Sequence, residues 1–145
     1  MIRVVIDTNV VVSGILAPKG APARILRLAL NGEFEFILSP LLLQEIQEVI
    51  RYPKIVKLMK KHGVSFAEAD DVLEKMKRVA LLVPGKSELN VVSDDPKDDM
   101  VLVCAMEGRA DFIVSGDSHL AVLKAFQGIP IVAPRTFLGL VADAK

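Results

Sequence analysis

Ile2-Arg3-Val4-Val5-Ile6-Asp7-Thr8-Asn9 opens on β-branched residues and closes on three small polar ones. The apolar run is too short for a helix and predicts a buried strand over 2–6, as in the interior of parallel sheets. Residues 10–16 then read as a short helix, and the same alternation recurs downstream. Pro18, Gly20 and Pro22 mark a loop. A helix over 23–30 stops at Asn31-Gly32, and 35–38 is a second strand. Ser39-Pro40 supplies a cap and a first-turn proline to a helix whose buried side carries Leu42, Ile46, Val49 and Ile50. Pro53 interrupts that helix, and a second piece runs to 61. Ser65 with Glu68 forms a capping box for a helix to 78. Strands over 79–83, 112–114 and 129–132 follow, with helices over 98–108, 117–126 and 134–142. These βα units predict a three-layer α/β/α fold around a central parallel sheet of four or five strands. The whole of 1–145 is expected to be one domain.

The hydrophobic fraction is 52%, yet no apolar run reaches the roughly 18 residues of a membrane span. Residues 1–6 are too short for a signal peptide. The expectation is a cytoplasmic protein with no membrane role. A single cysteine, Cys104, excludes an internal disulfide and a cysteine-rich zinc site. With only His62 and His119 besides, any metal would sit on oxygen atoms, which favours Mg2+ or Mn2+. Zero net charge argues against gripping nucleic acid by bulk charge, although a local basic surface stays open.

Ligands of open parallel sheets bind beyond the carboxyl ends of the strands. Four carboxylates fall at that edge: Asp7 after the first strand, Glu45 near the start of the helix after the second, Asp98 opening the helix after the third, and Asp117 just past the fourth. Each has a plain alternative. Asp7 and Asp117 read as helix caps, Glu45 as a solvent-facing residue like Glu48, and Asp98 as a first-turn acid complementing the helix dipole. Together they share one placement, and the repulsion among them would be resolved by a divalent cation.

These residues resemble the PIN-domain family, in particular its VapC-like toxin nuclease branch. The opening strand with Asp7-Thr8-Asn9, the Ser39-Pro40 helix with Glu45, the Arg51-Tyr52-Pro53 step and the run Asp95-Pro96-Lys97-Asp98-Asp99 match in order. So do Val114-Ser115-Gly116-Asp117 and Pro134-Arg135-Thr136-Phe137. The resemblance spans nearly the whole chain. Lys97 stands where relatives often carry an acid, Asp99 where many carry asparagine, and Ser115 where threonine is frequent. What the resemblance implies is a metal-dependent endoribonuclease that hydrolyses RNA phosphodiester bonds and leaves 5′-phosphate ends. Asp7, Asp98 and Asp117 would hold Mg2+ or Mn2+, and Glu45 would hold metal or orient the attacking water. Asn9 and Ser115 would steady those ligands, with Asp95 and Asp99 as helpers. Relatives of this branch act as toxins paired with antitoxin proteins and often form homodimers.

Lys54, Lys57 and Lys61 recur at helical spacing and offer a weak RNA-binding face. The plain alternative is the solvated side of an amphipathic helix. Arg24 and Arg27 are a second, weaker basic candidate. Rival readings are a catalytically silent RNA- or protein-binding module and a nuclease of RNA maturation or decay. An aspartate phosphatase is disfavoured, because Asn9 stands where it needs a second aspartate. A receiver domain is disfavoured, because Asp7 has no paired acid beside it.

Overall fold

The structure is a computed structural model that describes residues 1–87 and 96–143. In chain order its elements are β1 (Arg3–Ile6), α1 (Thr8–Leu16), α2 (Ala21–Leu30), β2 (Glu35–Leu38), α3 (Pro40–Ile50), α4 (Pro53–His62) and α5 (Phe66–Val79). There follow β3 (Leu81–Leu82), α6 (Pro96–Gly108), β4 (Phe112–Val114), α7 (Ser118–Ala121), β5 (Ala125–Phe126), β6 (Ile129–Val132) and α8 (Pro134–Asp143).

The strand order is β3-β2-β1-β4-β6-β5. Consecutive residues Val4, Val5 and Ile6 are all buried, so both faces of β1 are covered, as a three-layer α/β/α arrangement requires. The chain winds outward from β1 to β2 and β3, then returns to place β4 on the other side of β1. The carboxyl ends of β1 and β4 therefore flank the point where the winding reverses, which is where such sheets form a crevice. Parallel register aligns Val4 with Phe112 and Ile6 with Val114. The ladder continues past the strands: Asp7 N–H donates to the Val114 carbonyl at 2.9 Å, and Ser115 N–H to the Val132 carbonyl at 3.0 Å.

Local signals explain most element ends. Ser39 Oγ accepts from Leu42 N–H at 3.1 Å, and Ser65 Oγ from Glu68 N–H at 3.1 Å. Gly63 closes α4 at φ +70°, in the left-handed region that glycine enters at little cost. Gly14 lets α1 and α2 cross closely; a Cβ there would lie 2.6 Å from Leu26 Cδ1.

Two expectations need correction. The helix expected over 117–126 ends at Ala121. Lys124 takes φ +60°, and Gln127 and Gly128 take φ +49° and +80°, so the chain turns into a hairpin in which β5 pairs antiparallel with β6. A two-residue turn with both φ values positive matches strand twist. That hairpin adds β5 as an antiparallel edge to a sheet whose five other strands are parallel, as expected. The strand expected over 79–83 shortens to Leu81–Leu82 because α5 runs on through Val79, although Val83 N–H still donates to the Leu38 carbonyl at 3.0 Å.

Candidate active site

A cleft of about 310 Å3 opens at the reversal point, lined by Asp7, Asn9, Glu45, Tyr52, Lys54, Asp98 and Asp117, among others. All four carboxylates singled out from the sequence thus meet in one place. Asp7 is 7% exposed, Glu45 7% and Asp98 4%, which contradicts the solvent-facing reading of Glu45, while Asp98 does lie in the first turn of α6. Glu48, one turn on from Gln44, is exposed as a solvent-facing residue should be.

Asp7 sits at the N-cap position of α1 but makes no side-chain cap bond. Its carboxylate instead accepts from Ser115 Oγ at 2.8 Å. Ser115 Oγ in turn accepts from the Asp117 N–H at 3.0 Å. One hydroxyl, 2% exposed as a residue, therefore links the loop after β4 to the acid after β1. Burial pushes the Asp7 carboxyl above its ordinary range; the Ser115 and Thr8 hydrogen bonds oppose this, while the charges of Asp117 and Asp98 add to it. The pocket is short of positive charge, which is what a cation would supply.

The donor set consists of oxygen atoms only and suits a hard divalent ion. Among the described residues no group of three or more His, Cys, Asp or Glu side chains is arranged to hold a metal ion. The acids line an open cleft, as a catalytic site needs if substrate and water are to reach a bound ion.

Other residues fall differently. Asn9 is exposed at the rim. Asp99 does not line this cleft. Adjacent helical residues diverge by about 100°, and Asp99 lines a separate pocket with Ser39, Gly85 and Ser87. Its Oδ1 is buried without a hydrogen-bond partner. Asp95 lies outside the described residues. Of the three lysines, Lys54 reaches the cleft, whereas Lys57 and Lys61 are exposed on α4 and do not line it. Arg51, on the same stretch, pairs with Asp70 at 3.4 Å and lies over the Phe66 ring at 5.3 Å. Tyr52 was not singled out as a site residue. It is the sole tyrosine, placed at a helix break by Pro53, and half-exposed on the cleft wall.

Ser115 gives a specific expectation. Ser115→Ala removes the hydrogen bond that lowers the Asp7 carboxyl, so the acid limb of a pH–rate profile should move to higher pH. Activity should fall about 10–100-fold, the usual cost of losing a group that orients a ligand. Ser115→Thr, which keeps the hydroxyl, should restore both. An unmoved acid limb in Ser115→Ala would show that the hydroxyl does not set the state of Asp7.

Comparison with known proteins bears on the fold and the family. An uncharacterized protein of Methanocaldococcus jannaschii is 30% identical over 123 residues, covering 85% of this chain and 76% of that protein. The crystal structure of VapBC2 from Rickettsia felis, bound to a DNA fragment from the promoter, superposes with a TM-score of 0.57 at 12% identity. It covers 91% of this chain and 98% of the matched one. The sequence profile of the PIN domain matches residues 3–119. The chain belongs to the PIN domain family.

Proposed function

We propose that this protein is a metal-dependent endoribonuclease. The observation that carries the reading is the cleft itself, where Asp7, held by Ser115 instead of capping a helix, faces Asp98, Glu45 and Asp117. Burying carboxylates is costly; retaining three of them beside one another favours a site that uses them over a silent binding module.

In this reading Asp7, Asp98 and Asp117 would hold Mg2+ or Mn2+, and Glu45 would hold metal or orient the attacking water. When bound, the ion supplies Lewis-acid stabilisation of the phosphate and lowers the pKa of water. Ser115 fixes the Asp7 carboxylate and the Asp117 backbone together. Asn9, at the rim, steadies the ligands or the incoming strand. Lys54 offsets phosphate charge at the mouth, and Tyr52 offers a ring on which a base can stack, as aromatic residues do in single-strand sites. Cleavage leaves a 5′-phosphate and a 3′-hydroxyl. The likeness in fold to VapBC2 supports a toxin held by an antitoxin partner, and exposed Leu41, Val79, Leu82 and Leu140 supply apolar surface for that partner or for a homodimer.

The test is incubation of the full chain with labelled single-stranded RNA in Mg2+, in Mn2+ and in EDTA, beside a phosphomonoester. Metal-dependent RNA cleavage with an inert phosphomonoester is the expected result. Phosphomonoester hydrolysis without RNA cleavage would replace this reading with a phosphatase.

A further inference from the structure

We propose that the cleft where α2 begins against α8 is a second phosphate-binding site, which holds the backbone of an RNA strand outside the acidic crevice. Lys19, Arg24 and Arg135 converge on a cleft of about 490 Å3, with Gly20, Leu138 and Gly139 completing its walls. No acid lines it. All three cations are exposed, and among the described residues none has a carboxylate partner. The chain is neutral overall, so three unpaired cations gathered at one concavity are a segregation of charge. Their mutual repulsion is relieved when an anion sits between them.

The anion that fits is a phosphate. Two guanidinium groups offer planar forks to its oxygens and an ammonium adds a point charge. Gly20 caps α2 without a side-chain bond, and the first turn of α2 carries no acid, so the positive end of the helix points the same way. Arg27, the other basic residue that the sequence drew attention to, has a different task. It donates to the Pro18 carbonyl at 2.9 Å and ties the loop carrying Lys19 to α2.

The choice of RNA rests on the nuclease reading. Acids that approach a phosphodiester repel the rest of the strand, and a separate basic cleft holds that strand away from them. None of its lining residues is shared with the acidic crevice, so the two sites are separable by mutation.

The experiment uses the full chain in EDTA, where RNA is bound and not cut. Fluorescence anisotropy with a long single-stranded RNA is followed across a salt series for the wild type and for Lys19→Glu/Arg24→Glu/Arg135→Glu. The variant should bind at least about tenfold more weakly at low salt, with the slope of log K against log salt reduced by about two. Cleavage of a trinucleotide in Mg2+ should be unchanged. If the charge-reversed protein fails to fold, the triple glutamine variant carries the same measurement. Equal affinity and equal slope would overturn the proposal. Loss of inorganic phosphate binding with RNA binding intact would also overturn it, in favour of a small-anion site. So would a polyglutamate peptide that binds the wild type as tightly as RNA does and is lost in the same way. If the variant loses RNA while the wild type never cleaves it, the binding site stands and the nuclease reading falls.

Discussion

Asp7→Asn should lower metal-dependent RNA cleavage about a thousandfold, the scale on which one preorganised electrostatic group contributes to a transition state, while making the protein harder to melt. The two effects share a cause. Asp7 is buried beside Asp98 and Asp117, and its carboxyl is raised above the ordinary 3.8 mainly by burial. A carboxyl raised in the fold binds its proton more tightly there than in the unfolded chain. The contribution of Asp7 to stability is therefore most favourable below about pH 3.8, falls as pH rises to the folded value, and stays reduced above it. Asparagine has no charge to bury and can still meet the Ser115 hydroxyl. The gain at neutral pH should be about 1 kcal/mol, or about 3 °C for a domain of this size. It should vanish below the ordinary carboxyl range. A variant that keeps full activity, or melts lower at neutral pH, would show that Asp7 is structural.

Phe137→Ala should carry the largest stability cost, about 3–5 kcal/mol. Phe137 is fully buried. Its ring stands edge-on to Phe34, with centroids 5.3 Å apart, and to Phe112 at 5.8 Å. Phe112 begins β4, and Phe34 precedes β2 by one residue, so this one side chain clamps α8 against two parts of the sheet. Removing the ring leaves a cavity and two edge contacts unmade, out of a total stability of about 5–15 kcal/mol. A midpoint shift in urea corresponding to less than about 1 kcal/mol would mean that α8 is held chiefly by other contacts. The same change should loosen the cleft at Arg135 without touching the acids.

How much of this was legible beforehand follows from which signals are local. The strands over 35–38, 112–114 and 129–132 match β2, β4 and β6 because their apolar runs end at clear polar or turn residues. The caps at Ser39 and Ser65 are fixed by residues three apart. The run after Asp117 misled because Leu120, Leu123 and Phe126 recur at helical spacing. The turn was written in Gln127-Gly128, and only the pairing with β6 decides between the two. The acids were legible as a set, since each follows a strand and the sheet gathers strand ends. Their individual roles were less so. Asp98 and Asp99 are neighbours in the chain, and only the rotation of α6 against β1, β2 and β4 decides which one faces the cleft. Lys54 and Tyr52 reach the cleft through the position of α4, and Arg135 meets Lys19 and Arg24 through the docking of α8 on α2. Contacts of that kind depend on tertiary packing and leave no local pattern.

The most direct measurement is anomalous diffraction from a crystal of the full chain soaked in manganese. A peak is expected among the carboxylate oxygens of Asp7, Asp98 and Asp117, absent from an Asp7→Asn crystal treated alike. A cleft without anomalous density, in a crystal whose manganese sits elsewhere on the surface, would contradict it.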